Sequence, residues 1–262
     1  NQVAKGHALI YRTRRLQVRP ALALIANHVP RRLVWDQTVW LSIALFYGLF
    51  LGVAIWCANG TDRASQIIGR KQVSQMEEMY SQPLNRDSQS EPGEWLDSGR
   101  NDTLMTGFYI RNNAGIGLQC FGWGICFGIG SLYIMCSNAI VLGAVFGHMY
   151  QTPYWNNFSS FVTAHSAYEL TAICLAASAG LRMGFGLVLT DGFSRLESLK
   201  RSAADALPMI GTATILFILA AFIEGYISAS QIDYSGKRIV FIITLLSLLL
   251  FAARGLKLRG TP

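Results

Sequence analysis

The chain has 262 residues, of which 52% are hydrophobic and only 14% charged, with a formal net charge of +7. Soluble domains carry about 25% charged residues, so the composition excludes an ordinary soluble domain and points to a membrane protein. The basic excess is concentrated: Lys5, Arg12, Arg14, Arg15, Arg19, Arg31 and Arg32 lie in residues 1–35, which contain no acid. Basic segments of this kind stay on the cytoplasmic side of a membrane. No folded nucleic-acid-binding context accompanies them, so no nucleic-acid partner is expected.

The chain opens in a polar helical stretch, "NQVAKGHALIYRTRRLQ", without an initiating Met and without a signal peptide; further residues are expected before Asn1. Within 1–35, "YRTRRLQVRPALALIANHVPRR" mixes Arg with apolar residues. It reads as a basic amphipathic segment that places Arg12, Arg14, Arg15, Arg19, Arg31 and Arg32 at an anionic lipid surface. Residues 36–255 form the membrane domain and 256–262 a basic tail.

The first span is 39–58, "VWLSIALFYGLFLGVAIWCA", twenty uncharged positions. At about 1.5 Å per residue they cover one hydrocarbon core of about 30 Å. Trp35 and Trp40 mark its inner edge and Trp56 its outer edge. Residues 59–104 form a polar extracytoplasmic loop, in which Ile68, Met76, Met79 and Tyr80 sit near helical spacing. The following "PLNRDSQSEPGEWLDSG" reads as irregular, with Pro83, Pro92, Gly93 and Gly99 as breakers. Two further spans are expected at 106–125 and 129–149, and a fourth at about 160–188. A short surface helix on the cytoplasmic side follows at 190–206, then spans at about 207–229, with Pro208 in the first turn, and 238–254.

The prediction is therefore an all-α polytopic bundle of about six transmembrane helices with both ends inside. The cytoplasmic segments then hold fourteen Lys/Arg and four acids, whereas the outer loops hold eight Lys/Arg and nine acids. That asymmetry supports the orientation. Cys57, Cys120, Cys126, Cys136 and Cys174 all fall in or beside apolar segments and contain no Cys-x-x-Cys pair. They read as small buried hydrophobes rather than as disulfide or zinc ligands. Asn59, Asn101 and Asn157 begin Asn-x-Ser/Thr tripeptides in predicted outer loops; these receive no function.

The stretch "GIGLQCFGWGICFGIG" at 115–130 carries three Gly-x-Gly pairs. A dinucleotide or P-loop reading fails, because Gly115 and Gly117 lack the third glycine and no lysine occurs between 72 and 199. Close helix packing is the better reading, with Gly124 and Gly128 in a Gly-x-x-x-Gly pair and Gly115, Gly122 and Gly130 extending it. Gly48 and Gly52 repeat the spacing and are expected to supply the partner face.

Polar groups interrupt the apolar segments. His165 and Glu169 are four apart and share a helix face. A central carboxylate costs about 2.5–3.5 kcal/mol on insertion scales, so Glu169 should face the bundle interior. Glu224, His148, Asn112, Asn113 and Asn138 complete the predicted intramembrane cluster. Three readings stay open: hydrogen bonds that lock helices together, a proton or solute pathway, and a metal site built from His148, His165, Glu169 and Glu224. The last lacks any His-Glu-x-x-His spacing, so neither metal nor cofactor is expected.

Three segments carry a family resemblance. "FYIRNNAGIGLQCFGWGICFGIGSLYIMCSNAIVLGAVFG" resembles the Asn-Asn, glycine-rich, Asn-Gly segment of the stage II sporulation protein M (SpoIIM) family; "AHSAYELTAICLAASAGLRMG" resembles its His-Gly-x-x-Glu-Leu signature; and "AAFIEGYIS" resembles its late Glu-Gly element. The likeness runs over about 30–255. It departs at Ala139 and Ser166, where the family usually has glycine.

The resemblance implies a multispan protein of the bacterial inner membrane acting through partners; the founding member is a scaffold that anchors cell-wall-degrading proteins during engulfment. The leading expectation is a non-enzymatic membrane scaffold or anchor that forms homo-oligomers, binds envelope proteins, or both. The alternative is a permease-like transporter subunit with a separate ATPase, using the intramembrane His and Glu residues. A metal-dependent intramembrane enzyme is the third idea.

Overall fold

A computed structural model describes residues 18–81 and 102–258, and of these the side chains of 18–22 and 102–105 are not described. All regular structure among the described residues is helical. Helix α1 spans Val18–Trp35 and α2 Gln37–Ala58; two short helices, α3 (Arg63–Ile68) and α4 (Arg70–Ser81), follow, and their end of the bundle is called outer after the orientation expected from the charge asymmetry. Then come α5 (Asp102–Gly122), a single 3₁₀ turn at Trp123–Ile125, α6 (Ile129–Tyr150), α7 (Trp155–Val188), α8 (Arg195–Ile223) with a π-helical turn at Glu224–Ser228, and α9 (Tyr234–Lys257).

Five helices are long and apolar enough to cross a membrane: α2, α6, α7, α8 with its π turn, and α9. The expected span at 106–125 is present as α5, but Arg111, Asn112 and Asn113 dilute it, and it falls outside that set. It nonetheless runs the height of the bundle. Asn113 meets Glu224 in the outer half, while Cys120 and Gly124 meet Gly180 near the opposite end. Among the described residues α5 thus lies along the five candidate spans, and α1 and the end of α9 finish side by side, where the backbone of Gly255 abuts Pro30.

α7 is the axis of the bundle. Nearly three quarters of its most apolar window is buried, against about a tenth for α9. Between lipid-embedded helices there is little hydrophobic drive, so close backbone approach carries the association. A side chain at Gly180 would strike Ser131 Oγ and the Cys120 carbonyl; one at Gly184 would strike the Gly128 amide and the Gly124 carbonyl. The glycine stretch therefore packs on α7, through Gly124 and Gly128. Gly128 (φ +82°) also follows Phe127 (φ 54°) in the left-handed reversal between α5 and α6. Gly130 closes that turn against the Trp123 carbonyl.

The expected partner face is corrected. Gly48 and Gly52 have nothing within 4 Å of where a Cβ would be, and neither do Gly115 and Gly122. What meets α2 is a pair the sequence reading passed over, Gly143 and Gly147 of α6, seated on the Phe50 and Ala54 carbonyls.

Three further expectations change. Residues 195–206 do not form a separate surface helix: capped by Ser194, which accepts from the Glu197 amide, α8 runs unbroken through them. Pro208 lies inside that helix and not in a first turn. The basic N-terminal segment is no free surface helix over its second half, since Val29 and Pro30 are fully buried beneath α9 and α8. Cys126 is exposed and Cys136 half-buried; the other three cysteines are buried as expected.

The α7 contact gives a direct expectation. Gly184→Leu should lower the melting temperature in detergent by about 5 °C or more, the scale of an overpacked contact, while Gly122→Leu, at an exposed position with open space around it, should leave it unchanged. Equal melting of the two variants would refute the assignment of the packing face.

Candidate functional site

Two polar centres lie at opposite ends of the bundle. The outer one is assembled on α7 and α8. His165 and Glu169 stand one turn apart on α7, with His165 Nε2 3.4 Å from Glu169 Oε2. Across from them, α8 widens into the π turn at Glu224–Ser228, where the Ala229 amide reaches back five residues to the Glu224 carbonyl at 3.3 Å. π turns within α-helices recur at functional sites. This one places Glu224 and Ser228 against α7. Ser228 Oγ bonds His165 Nδ1 at 2.8 Å, and one donor atom from each of His165, Glu169 and Glu224 falls within 4.8 Å of the others.

α5 completes the shell. Asn113 Nδ2 donates to Glu224 Oε2 at 3.4 Å, and Asn112 Nδ2 donates to Asn113 Oδ1 at 3.1 Å. Lys237, only 1% exposed at the start of α9, donates from Nζ to the Ser228 carbonyl at 2.8 Å. The predicted residues His165, Glu169, Glu224, Asn112 and Asn113 are therefore brought together.

His148 and Asn138 are not in the cluster. His148 Nε2 pairs with Glu77 Oε1 of α4 at 2.7 Å, and Asn138 Nδ2 satisfies itself on the Ile134 carbonyl of its own helix at 2.8 Å.

The outer helices roof this centre. Tyr80 of α4 inserts beside Phe158 and Phe161 with edge-on rings 5.2 and 5.8 Å apart, and Phe161 in turn lies 5.7 Å from the His165 ring. Asn157 Nδ2 holds the Tyr80 carbonyl at 2.9 Å. Burial pushes the Tyr80 phenol well up from its usual range, with Tyr109 and Glu224 adding to it. Of the expected apolar face, Tyr80, Ile68 and Met76 pack inward, but Met79 is exposed.

The inner centre is an ion network that the sequence reading missed. Asp36 caps α2 through the Thr38 amide at 2.9 Å. Its carboxylate takes Arg182 Nη1 of α7 at 2.7 Å and Arg32 Nη1 of α1 at 3.3 Å. Asp205 of α8 takes Arg32 Nη2 at 2.5 Å and Arg182 Nε at 2.6 Å. Arg32 is thus buried in pairs and is not a lipid-surface residue. Arg12, Arg14 and Arg15 lie outside the described residues, as does the side chain of Arg19. Beside the network a cleft of about 730 Å³ opens between His28, Arg31, Trp35 and Phe185. Burial and then Arg32 push the His28 imidazole down from its usual range.

The family model for stage II sporulation protein M matches residues 42–229. The chain belongs to the SpoIIM family. The SpoIIM match includes His165, Glu169 and Glu224, and also Arg182 and Asp205, but not Arg32 or Asp36. At the two positions where this SpoIIM member departs from the usual glycine, Ala139 is fully buried and Ser166 Oγ bonds the Thr163 carbonyl at 3.0 Å. No curated protein and no solved structure matches the chain.

Removing one partner of a buried ion pair costs about 3–5 kcal/mol. Asp36→Ala should reach that range in reversible unfolding in mixed micelles, because two arginines and a helix cap lose their acceptor. Asp36→Asn keeps the cap and should cost less. Coupling between Asp36→Ala and Arg182→Ala should exceed about 1 kcal/mol; additive losses would show that the pair is not formed.

Proposed function

We propose that this SpoIIM protein is a non-enzymatic integral membrane scaffold or anchor. It lies multi-pass in a bacterial inner membrane with both ends in the cytoplasm, and assembles with itself, with envelope proteins, or both. The observation that carries the reading is the outer platform of α3 and α4. It is pinned to the bundle by Tyr80 and by Glu77 on His148, while Arg70, Lys71, Gln75, Glu78 and Met79 face outward. A prefolded surface spares the cost of ordering a segment on binding. The charge asymmetry supports the orientation. The unfilled Gly48 and Gly52 strip on α2, open in the single chain, suits helix–helix self-association.

The permease alternative draws on the same buried His165 and Glu169. Its likeness to a subunit with a separate coupling helix is weaker now that 195–206 is continuous with α8.

Deleting 62–100 should abolish capture of envelope partners in crosslinked membranes while leaving insertion intact. The gentler variant Arg70→Glu/Lys71→Glu should reduce capture about tenfold, as reversed charges at an interface do. Undiminished capture in both would reject the platform. Uptake or efflux that depends on a co-purifying ATPase and stops in Glu169→Gln would favour the permease instead.

A further inference from the structure

We propose that His165, Glu169 and Glu224 form a site for one divalent transition metal ion of the zinc class. The site is distinct from the outer platform and does not depend on the scaffold reading. Its first support is convergence: donor atoms from two helices lie within 4.8 Å of one another. Bonds of about 2.0–2.1 Å place neighbouring donors of a tetrahedral zinc site about 3.3 Å apart. His165 Nε2 and Glu169 Oε2 already stand 3.4 Å apart. Glu224 closes the set by a side-chain movement of at most about 1.5 Å on that same geometry.

The second support is the outer ring of hydrogen bonds. A ligating imidazole has its other nitrogen held by a protein group, which fixes ring and tautomer; His165 Nδ1 is held by Ser228 Oγ at 2.8 Å. Ligating carboxylates are themselves hydrogen-bonded; Glu224 is held by Asn113, and Asn113 by Asn112. The π turn supplies a ligand and an orienting group from one widened loop of helix, Glu224 and Ser228.

The third is charge. Two carboxylates side by side in a membrane interior need neutralising, and a divalent ion does so in one step. Lys237 of α9 donates to the Ser228 carbonyl and so ties α9 to the same π turn. One imidazole and two carboxylates form a borderline-hard set without sulfur, which suits zinc, iron(II) or manganese(II) over copper(I). Three protein ligands leave a coordination position for water.

The test uses the full chain, purified through a tag without histidines and held in lipid nanodiscs. Mass-spectrometric metal analysis should find about one zinc-class ion per chain, falling about tenfold in Glu169→Gln/Glu224→Gln and unchanged in His148→Ala. Stripped wild-type protein should gain several degrees of melting temperature on adding zinc, as binding to the folded state requires. Cobalt(II) added to the same stripped protein should give the intense visible bands of tetrahedral coordination, a readout that needs no variant. Wild-type protein without metal, without a zinc-dependent rise and without cobalt bands would overturn the proposal and leave protons or Lys237 to neutralise the carboxylates. Metal retained in full by the double variant would overturn it equally, by placing the ion elsewhere.

Discussion

The backbone of α7 has no side chain between it and its neighbours at Gly180 and Gly184, and the bundle is organised around that contact. In lipid, apolar side chains gain little by leaving the solvent, so helices associate where their backbones can come close. The glycine-rich turn between α5 and α6 lies directly on those two positions. Its seating fixes the depth of α5, and with it the position of Asn113. The same close approach is repeated where Gly143 and Gly147 of α6 meet the backbone of α2. The helices that lack such contacts, α2 on its outer face and α9 along most of its length, present their apolar residues to lipid.

This framework separates what a single sequence could reveal from what it could not. The apolar runs located the helices well, because hydropathy is a local property. α5 was legible as an element, yet its polarity has a tertiary meaning: Asn113 is buried against the outer centre, and the exposed Asn112 bonds it from behind. His165 and Glu169 were legible as neighbours because one helical turn joins them. Glu224 was grouped with them on its polarity alone, and it is the depth of α8, which no local pattern encodes, that makes the grouping right. His148 was grouped with them on the same ground and is misplaced, since its partner Glu77 belongs to an outer helix whose docking is set by Tyr80. The packing glycines were half legible. Gly180–Gly184 and Gly143–Gly147 carry the same four-residue spacing as Gly48–Gly52, and spacing alone does not say which pair is covered.

The two polar centres have opposite characters. The inner one is made of full charges with geometric partners: each arginine meets two carboxylates, and each carboxylate meets two arginines. Such a network fixes helix ends rather than binding something that comes and goes. The outer centre gathers an imidazole and two carboxylates and has a ring of amides and hydroxyls around it. It sits beneath an aromatic roof supplied by the same helix that carries the exposed platform. A partner gripping α4 would therefore press on Tyr80, and through Phe161 on the His165 ring.

The inner network also has a history in time. Asp36 and Arg182 are separated by 146 residues, and at about 5–20 residues per second that stretch takes roughly 7–30 s to synthesise. Throughout that interval the capping carboxylate of α2 is in place while Arg182 and the whole of α8 are not yet made. Arg32 is the one member of the network already present, a single helical turn upstream. The local pair can therefore neutralise the acid before the distant partners exist, and in the finished structure it is one edge of the four-membered network with Arg182 and Asp205.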